Sequence, residues 1–215
     1  MSNSLSPNWS QRIMNNITDR RAIVLSIVLG LIIRSIPEIL SYPYPIGFDT
    51  IFYSARIKSG LVLPHWTWAF SSWLLYAILV PIYRVTQVDP LILLKLTAPA
   101  LYGLNTCGVY YFAKKALKWS TKKSLFTAFF FAFQLASLRI SWDLYRNILG
   151  LTILLFALPF IPLQGTISKR GVIWFVLLST LIVFSHELVS VVLFAIFFGM
   201  MVFHRREGGK QRLLK

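Results

Sequence analysis

Residues 66–83 read Trp-Thr-Trp-Ala-Phe-Ser-Ser-Trp-Leu-Leu-Tyr-Ala-Ile-Leu-Val-Pro-Ile-Tyr. Whether this stretch crosses a membrane or lies along its surface decides the side on which every later loop falls. It is apolar enough to be taken for a span. Its aromatic residues, Trp66, Trp68, Trp73 and Tyr76 among them, with Pro81 and Arg84 near its end, suit the headgroup level instead. The charges downstream settle the reading. If 66–83 crosses, Lys114, Lys115, Lys118, Lys122 and Lys123 stand together in one short external loop, against the strong preference of Lys and Arg for cytoplasmic loops. The stretch is therefore read as an in-plane aromatic helix on the outer surface.

The composition belongs to a polytopic membrane protein: 56% hydrophobic, 15% aromatic and 13% charged residues, with a mean hydropathy of +0.66. A net charge of +15 follows from basic cytoplasmic loops, so no nucleic-acid partner is inferred from it. The single cysteine, Cys107, excludes an intrachain disulfide and, inside an apolar run, reads as a buried structural thiol.

Outward from 66–83 the chain falls into order. Residues 1–21 are polar, with Arg12, Arg20 and Arg21, and form a cytoplasmic segment. Residues 22–40 are a retained first span, too long for a signal-peptide core, and Arg34 and Glu38 share one face near its far end. The loop 41–90 is external and carries the in-plane helices. Residues 91–113 return to the lysine-rich loop 114–123, 125–138 go out, 139–147 are external and 148–163 come back. Residues 172–184 go out, 185–187 turn, 188–203 return and 205–215 form a basic cytoplasmic tail. The expected fold is an all-α polytopic transmembrane helical bundle of six spans over 22–204, multi-pass in the plasma membrane, with both termini cytoplasmic. The arms of the last hairpin are shorter than the ~20 residues of a standard span. Lys95 stands inside an apolar run, placed to snorkel to the outer boundary. On the cytoplasmic side, the sequons at Asn8 and Asn16 carry no meaning.

In this arrangement 15 of the 22 Lys and Arg, at positions 12, 20, 21, 114, 115, 118, 122, 123, 169, 170, 205, 206, 210, 212 and 215, fall inside. Of the seven acids only Asp19 and Glu207 do; Glu38, Asp49, Asp89, Asp143 and Glu187 fall at or near the outer face. The acids played no part in setting the topology, so their segregation is separate support.

Three external turns thereby converge: Gly47-Phe48-Asp49-Thr50-Ile51-Phe52-Tyr53, Ser141-Trp142-Asp143-Leu144-Tyr145-Arg146-Asn147, and His186-Glu187. Charged groups beside a membrane are costly unless paired, hydrated or functional. Asp143 and Arg146, three apart, can pair on a helical turn, which in the plainest reading caps a span. Asp49 reads either as a functional carboxylate or as the N-cap of a helix over 50–59 that Gly60 stops. His186 reads as a hydrogen-bonded buried imidazole or as a ligand or proton-transfer group. Glu187 beside it would be expensive facing lipid, which points to a turn facing a wet cavity.

This order of parts resembles the C-type membrane glycosyltransferases, which use polyprenyl-phosphate-linked sugars. The resemblance lies in an N-terminal span, a Gly-x-Asp-x-x-x-Tyr-like first external loop (Gly47, Asp49, Tyr53) and an in-plane aromatic helix. A span ending in a basic cytoplasmic loop follows, then a second external turn with an acid followed by Arg (Asp143, Arg146). It implies that Asp49 is the catalytic carboxylate or a metal ligand, and that Asp143 assists it or shares a divalent metal ion. Arg146, with Arg56 and Lys58, would hold the donor phosphate, and His186 and Glu187 would line the site. Family members usually carry further spans, and often a soluble domain, beyond this module, whereas this chain ends at Lys215.

The expected partners are the lipid bilayer, a polyprenyl-phosphate-sugar donor and a partner membrane chain if the enzyme is split. The alternative from another class is a non-catalytic membrane subunit or lipid-binding protein of the same fold, whose external acids only cap helices and pair with arginines. A transporter fits less well, since acids and arginines are absent from the depth of most spans.

Overall fold

The structure, a computed structural model, describes residues 17–60, 72–161 and 168–213, with side chains as far as Val202. Every element among these residues is helical: α1 (Asp19–Leu40), α2 (Asp49–Ser59), α3 (Leu74–Thr86), α4 (Pro90–Lys115), α5 (Thr121–Phe133), α6 (Leu135–Asp143), α7 (Tyr145–Ala157) with a 3-10 turn (Leu158–Phe160), α8 (Lys169–Ser185) and α9 (Glu187–Leu213). Their starts are written locally. Thr18, Asp89, Ser120 and Ser168 each accept a backbone N–H from the first turn of the helix that follows, satisfying donors the helix itself leaves open.

The centre is the α1–α4 pair. The buried residues of α1 are Ala22, Ser26, Gly30, Arg34 and Glu38, every fourth position, so a single ridge faces the neighbour. The small members let the two backbones close. A Cβ on Gly30 would strike Thr106 Oγ1 and lie 2.9 Å from Gly103 Cα, and one on Gly103 would lie 2.7 Å from the Ile27 carbonyl oxygen. Small residues at such crossings are how apolar helices pack without long side chains. Gly103→Ala is therefore expected to cost about 1–3 kcal/mol by forcing backbone away from backbone; a thermal unfolding midpoint unchanged from wild type would show that the approach is looser than described.

Opposite ends of the bundle are tied by different chemistry. At one end Asp19 accepts from Tyr110 at 3.2 Å and Thr121 at 2.6 Å and pairs with Lys114 at 3.4 Å, joining the start of α1 to the end of α4 and the start of α5. The other end carries a buried charge cluster. Arg34 Nη2 lies 2.7 Å from Glu38 Oε1, near enough to pair but not aligned as a hydrogen bond. Lys95 Nζ donates to Glu38 Oε2 at 2.9 Å, to the Glu38 carbonyl at 3.2 Å and to Ser41 at 3.0 Å. The Arg34–Glu38 pair forms as its spacing predicts, and α1 runs through Pro37. Lys95 does not snorkel: it is 8% exposed and turned inward, because Glu38 offers a carboxylate inside the bundle.

The outward pass expected over 125–138 is not one straight helix. α5 and α6 meet at Gln134 with a bend of 59°. Ending α5 frees carbonyls, and the Tyr102 hydroxyl of α4 lies 3.3 and 3.1 Å from those of Phe131 and Ala132. Arg34 likewise donates to the Ser141 carbonyl at 3.2 Å, placing a cation at the negative end of α6.

α2 and α3 lie across the Glu38 end. The start of α3 packs there, with Trp73 against Phe184 at 4.9 Å and Tyr76 against Tyr53 at 6.0 Å. Its end leads through Gln87–Asp89 straight into α4, whose Lys95 is already at Glu38. Both ends of α3 thus sit at one end of the bundle. Residues 66–71 of the deciding stretch lie outside the described residues. Of the described helices, α1 alone is long and apolar enough to cross a membrane, or two if the bent α5–α6 pair counts as one crossing. The central α4 carries its polar residues inward, Lys95, Asn105 and Thr106 all being buried.

Candidate functional site

All three turns singled out in the sequence come to the Glu38 end. The first is fixed by Gly47, whose φ of +88° suits glycine, and whose missing side chain lets the loop rest on the second turn: a Cβ there would meet Asp143 Oδ1 and lie 2.5 Å from the Trp142 carbonyl oxygen. Asp49 follows as the first residue of α2, not as its cap; Phe48 holds the cap position without a side-chain bond. Gly60, at φ +82°, ends the helix as expected. Asp49 is partly buried and makes no ion pair among the described residues.

The pairing expected between Asp143 and Arg146 does not form. Leu144, at φ −105° and ψ 59°, separates α6 from α7, so the two side chains belong to different helices. Asp143 pairs with Arg139, one turn back on α6, and Arg139 also lies over the Trp142 ring at 5.4 Å.

Released from Asp143, Arg146 reaches the tyrosines of α2 and α3. It stands 5.9 Å from the centre of the Tyr53 ring. Burial works against its charge, but Tyr53, Tyr76 and Glu187 outweigh it and hold the guanidinium above its ordinary value. Tyr145 packs edge-on against Tyr53 at 5.3 Å, and its hydroxyl lies 3.4 Å from that of Thr50. Burial pushes Tyr53 upward and Tyr76 and Tyr145 up to about 12, so all three remain O–H donors at neutral pH. Arg56 is exposed, 5.8 Å from the Phe52 ring and 6.0 Å from Tyr76, at the margin of the group. Lys58 is exposed and joins none of these contacts.

The third turn closes the group. His186 precedes α9 and its Nδ1 accepts the Leu188 N–H at 3.2 Å, which leaves the proton of a neutral ring on Nε2, 3.9 Å from Glu187. The imidazole is hydrogen-bonded, as in the plainer reading, but only partly buried, its side chain being 18% exposed. Glu187 is 62% exposed and starts α9. Burial pushes its carboxyl up, but its own backbone N–H, Ser72 and the charges of His186 and Arg146 bring it below its ordinary value.

Burial, aided by Arg146 and opposed by Glu187, lowers His186 below its usual 6.5. The sign of the pH effect follows. A group that resists protonation when folded contributes stability that is complete above its unfolded value and is lost as pH falls from there through the folded one. Unfolding midpoints should therefore drop below about pH 6.5, with a slope under one proton, and His186→Asn should flatten that segment; an equal slope in the variant would exclude His186 as its source.

Five buried polar atoms here have no hydrogen-bond partner among the described residues: Ser72 Oγ, Arg146 Nε, the Tyr76 hydroxyl, Trp142 Nε1 and Asp143 Oδ1. Four are donors. Sequence reasoning reached Asp143 and Arg146 but not Tyr76, Tyr145 or Trp142 as members, because nothing in the spacing distinguishes a site aromatic from one in the headgroup layer. Among the described residues no group of three or more His, Cys, Asp or Glu side chains is placed to hold a metal ion. Comparison of the chain with protein-family models, with curated proteins and with solved structures gives no match.

Proposed function

We propose that the chain is a membrane glycosyltransferase, or the N-terminal part of one, moving a sugar from a polyprenyl-phosphate donor to an acceptor on the extracytoplasmic face. Its membrane placement is supported by the outward faces of α1, α5, α8 and α9. Ile32, Phe130, Trp174 and Phe198 are half or more exposed there, an apolar surface that a bilayer would cover. The crosswise α2 and α3 are in-plane helices in this reading, and the lengthwise helices make the six spans.

The observation that carries the chemistry is the set of unpaired donors around Arg146, beside a loop that brings Asp49 to the same end of the bundle. Arg146 Nε and the Tyr76 hydroxyl, both without a hydrogen-bond partner among the described residues, suit an anionic group such as a phosphate. In transfer, the acceptor oxygen attacks the anomeric carbon and gives its proton to Asp49. The bond from that carbon to the phosphate oxygen breaks, and the phosphate leaves with the electron pair, its charge met by Arg146, Tyr76 and Tyr53. Asp143, committed to Arg139 and packed under Gly47, positions the loop.

That commitment of Asp143 also favours the second reading, a non-catalytic subunit of the same fold. Membranes containing the protein, given labelled polyprenyl-phosphate hexoses, separate the two. Asp49→Asn should fold as wild type and release polyprenyl phosphate at least ~100-fold more slowly. Turnover absent from both would favour the non-catalytic reading, and turnover equal in both would remove Asp49 as the base.

A further inference from the structure

The other end of the bundle carries a surface with a different chemistry. Residues 114–133 contain five lysines and no acid. Lys114 is engaged by Asp19, whereas Lys115, Lys118 and Lys123 are exposed and form no ion pair among the described residues. Lys123 stands 4.2 Å from the centre of the Trp119 ring, a cation beside an amphipathic ring of the kind that settles at the level of lipid headgroups.

α5 rises from these lysines with two unlike faces. Ser124, Ala128 and Ala132 are buried against the bundle. Phe126, Phe129, Phe130 and Phe133 are 64%, 47%, 70% and 51% exposed on the other side, and the pairs four apart lie with ring centres 6.1 and 4.8 Å from each other. From Lys122 to Phe133 the helix rises roughly 16 Å at 1.5 Å per residue, close to half of a ~30 Å hydrocarbon core.

We propose that this face of α5 is a binding site for one anionic phospholipid of the inner leaflet, its phosphate held by Lys115, Lys118 and Lys123 and an acyl chain laid along Phe126–Phe133. The occupant follows from charge and length together. A basic foot whose neighbouring acid, Asp19, is engaged by Lys114 selects an anionic headgroup, and an aromatic ladder one leaflet tall suits a lipid tail. The inference rests on the membrane reading above but not on any transfer activity.

The test reconstitutes the full chain in phosphatidylcholine vesicles and compares spin-labelled phosphatidylglycerol with spin-labelled phosphatidylcholine for the motionally restricted population. Wild type should prefer phosphatidylglycerol about fivefold or more, on the scale of one lysine near a membrane surface. The triple variant K115Q/K118Q/K123Q should lose that preference, and K169Q/R170Q, which removes exposed charge elsewhere on the predicted cytoplasmic face, should keep it. Equal loss in both variants, or no preference in wild type, overturns the site. Displacement of the spin label by glycerol phosphate as readily as by phosphatidylglycerol would overturn the lipid as occupant in favour of a free phosphate. Failure of the protein to enter vesicles at all would sink the membrane reading itself.

Discussion

Replacing Glu38 by Ala should destabilise the protein by about 3–5 kcal/mol, the cost of leaving buried charge without its partner. Arg34 is fully buried and Lys95 is 8% exposed, and Glu38 is the carboxylate that both reach. Two cations and one acid already leave the cluster with an excess of positive charge; removing the acid would leave two buried cations facing each other. Arg34 has little else to fall back on, since its Nε and Nη1 have no hydrogen-bond partner among the described residues and its remaining contact is the Ser141 carbonyl. Because α1, α4 and α6 meet at this cluster, the loss should appear as a lowered midpoint for the whole bundle in detergent unfolding. Adding Lys95→Met to Glu38→Ala should restore part of the loss, since it removes one of the stranded charges, and such coupling is what a double-mutant comparison isolates. A cost below about 1 kcal/mol, the range of exposed pairs, would mean that water reaches the cluster.

Gly47→Val should damage the candidate site by displacing the first loop. A branched residue at φ +88° is strained by roughly 1–2 kcal/mol. Its Cβ would also need the space held by Asp143 Oδ1 and the Trp142 carbonyl. Both are parts of a packed turn, so it is the Gly47 loop that must lift, taking Asp49 with it. A displacement of about 1 Å at a reacting group can cost ~100-fold in rate, and that is the expected fall in donor turnover, accompanied by a modest drop in unfolding midpoint. A variant that kept full turnover would show that Asp49 does not act from this position.

These two sites differ in how far the sequence discloses them. Arg34 and Glu38 sit four apart in one apolar run, so their pairing is legible. Lys95 comes from another helix, 57 residues away from Glu38, and only packing brings it in. Gly60 ends α2 by a local rule. The break at Gln134 obeys no local rule, since neither glycine nor proline marks it, and it depends on a hydroxyl lent by Tyr102. Asp143 misleads for a similar reason: a spacing of three promises a bond to Arg146 only where one helix continues, and Leu144 interrupts it. Convergence of the three turns was readable from topology, because alternating passes bring every second loop to one end. The aromatic lining around Arg146 was not, because Tyr53, Tyr76 and Tyr145 lie on three separate helices.

The most direct test of the central claim, that the turns with Asp49, Arg146 and Glu187 form one site facing out of the cell, is cysteine accessibility in intact cells. On a Cys107→Ser background, single cysteines would replace Ser59 at the end of α2, Thr86 at the end of α3 and Lys115 at the opposite end of the bundle. A membrane-impermeant thiol reagent should label the first two and leave position 115 unlabelled until the cells are opened. Labelling of position 115 from outside, with position 86 protected, would make 66–83 a span, set Asp49 and Asp143 on opposite faces, and contradict the account.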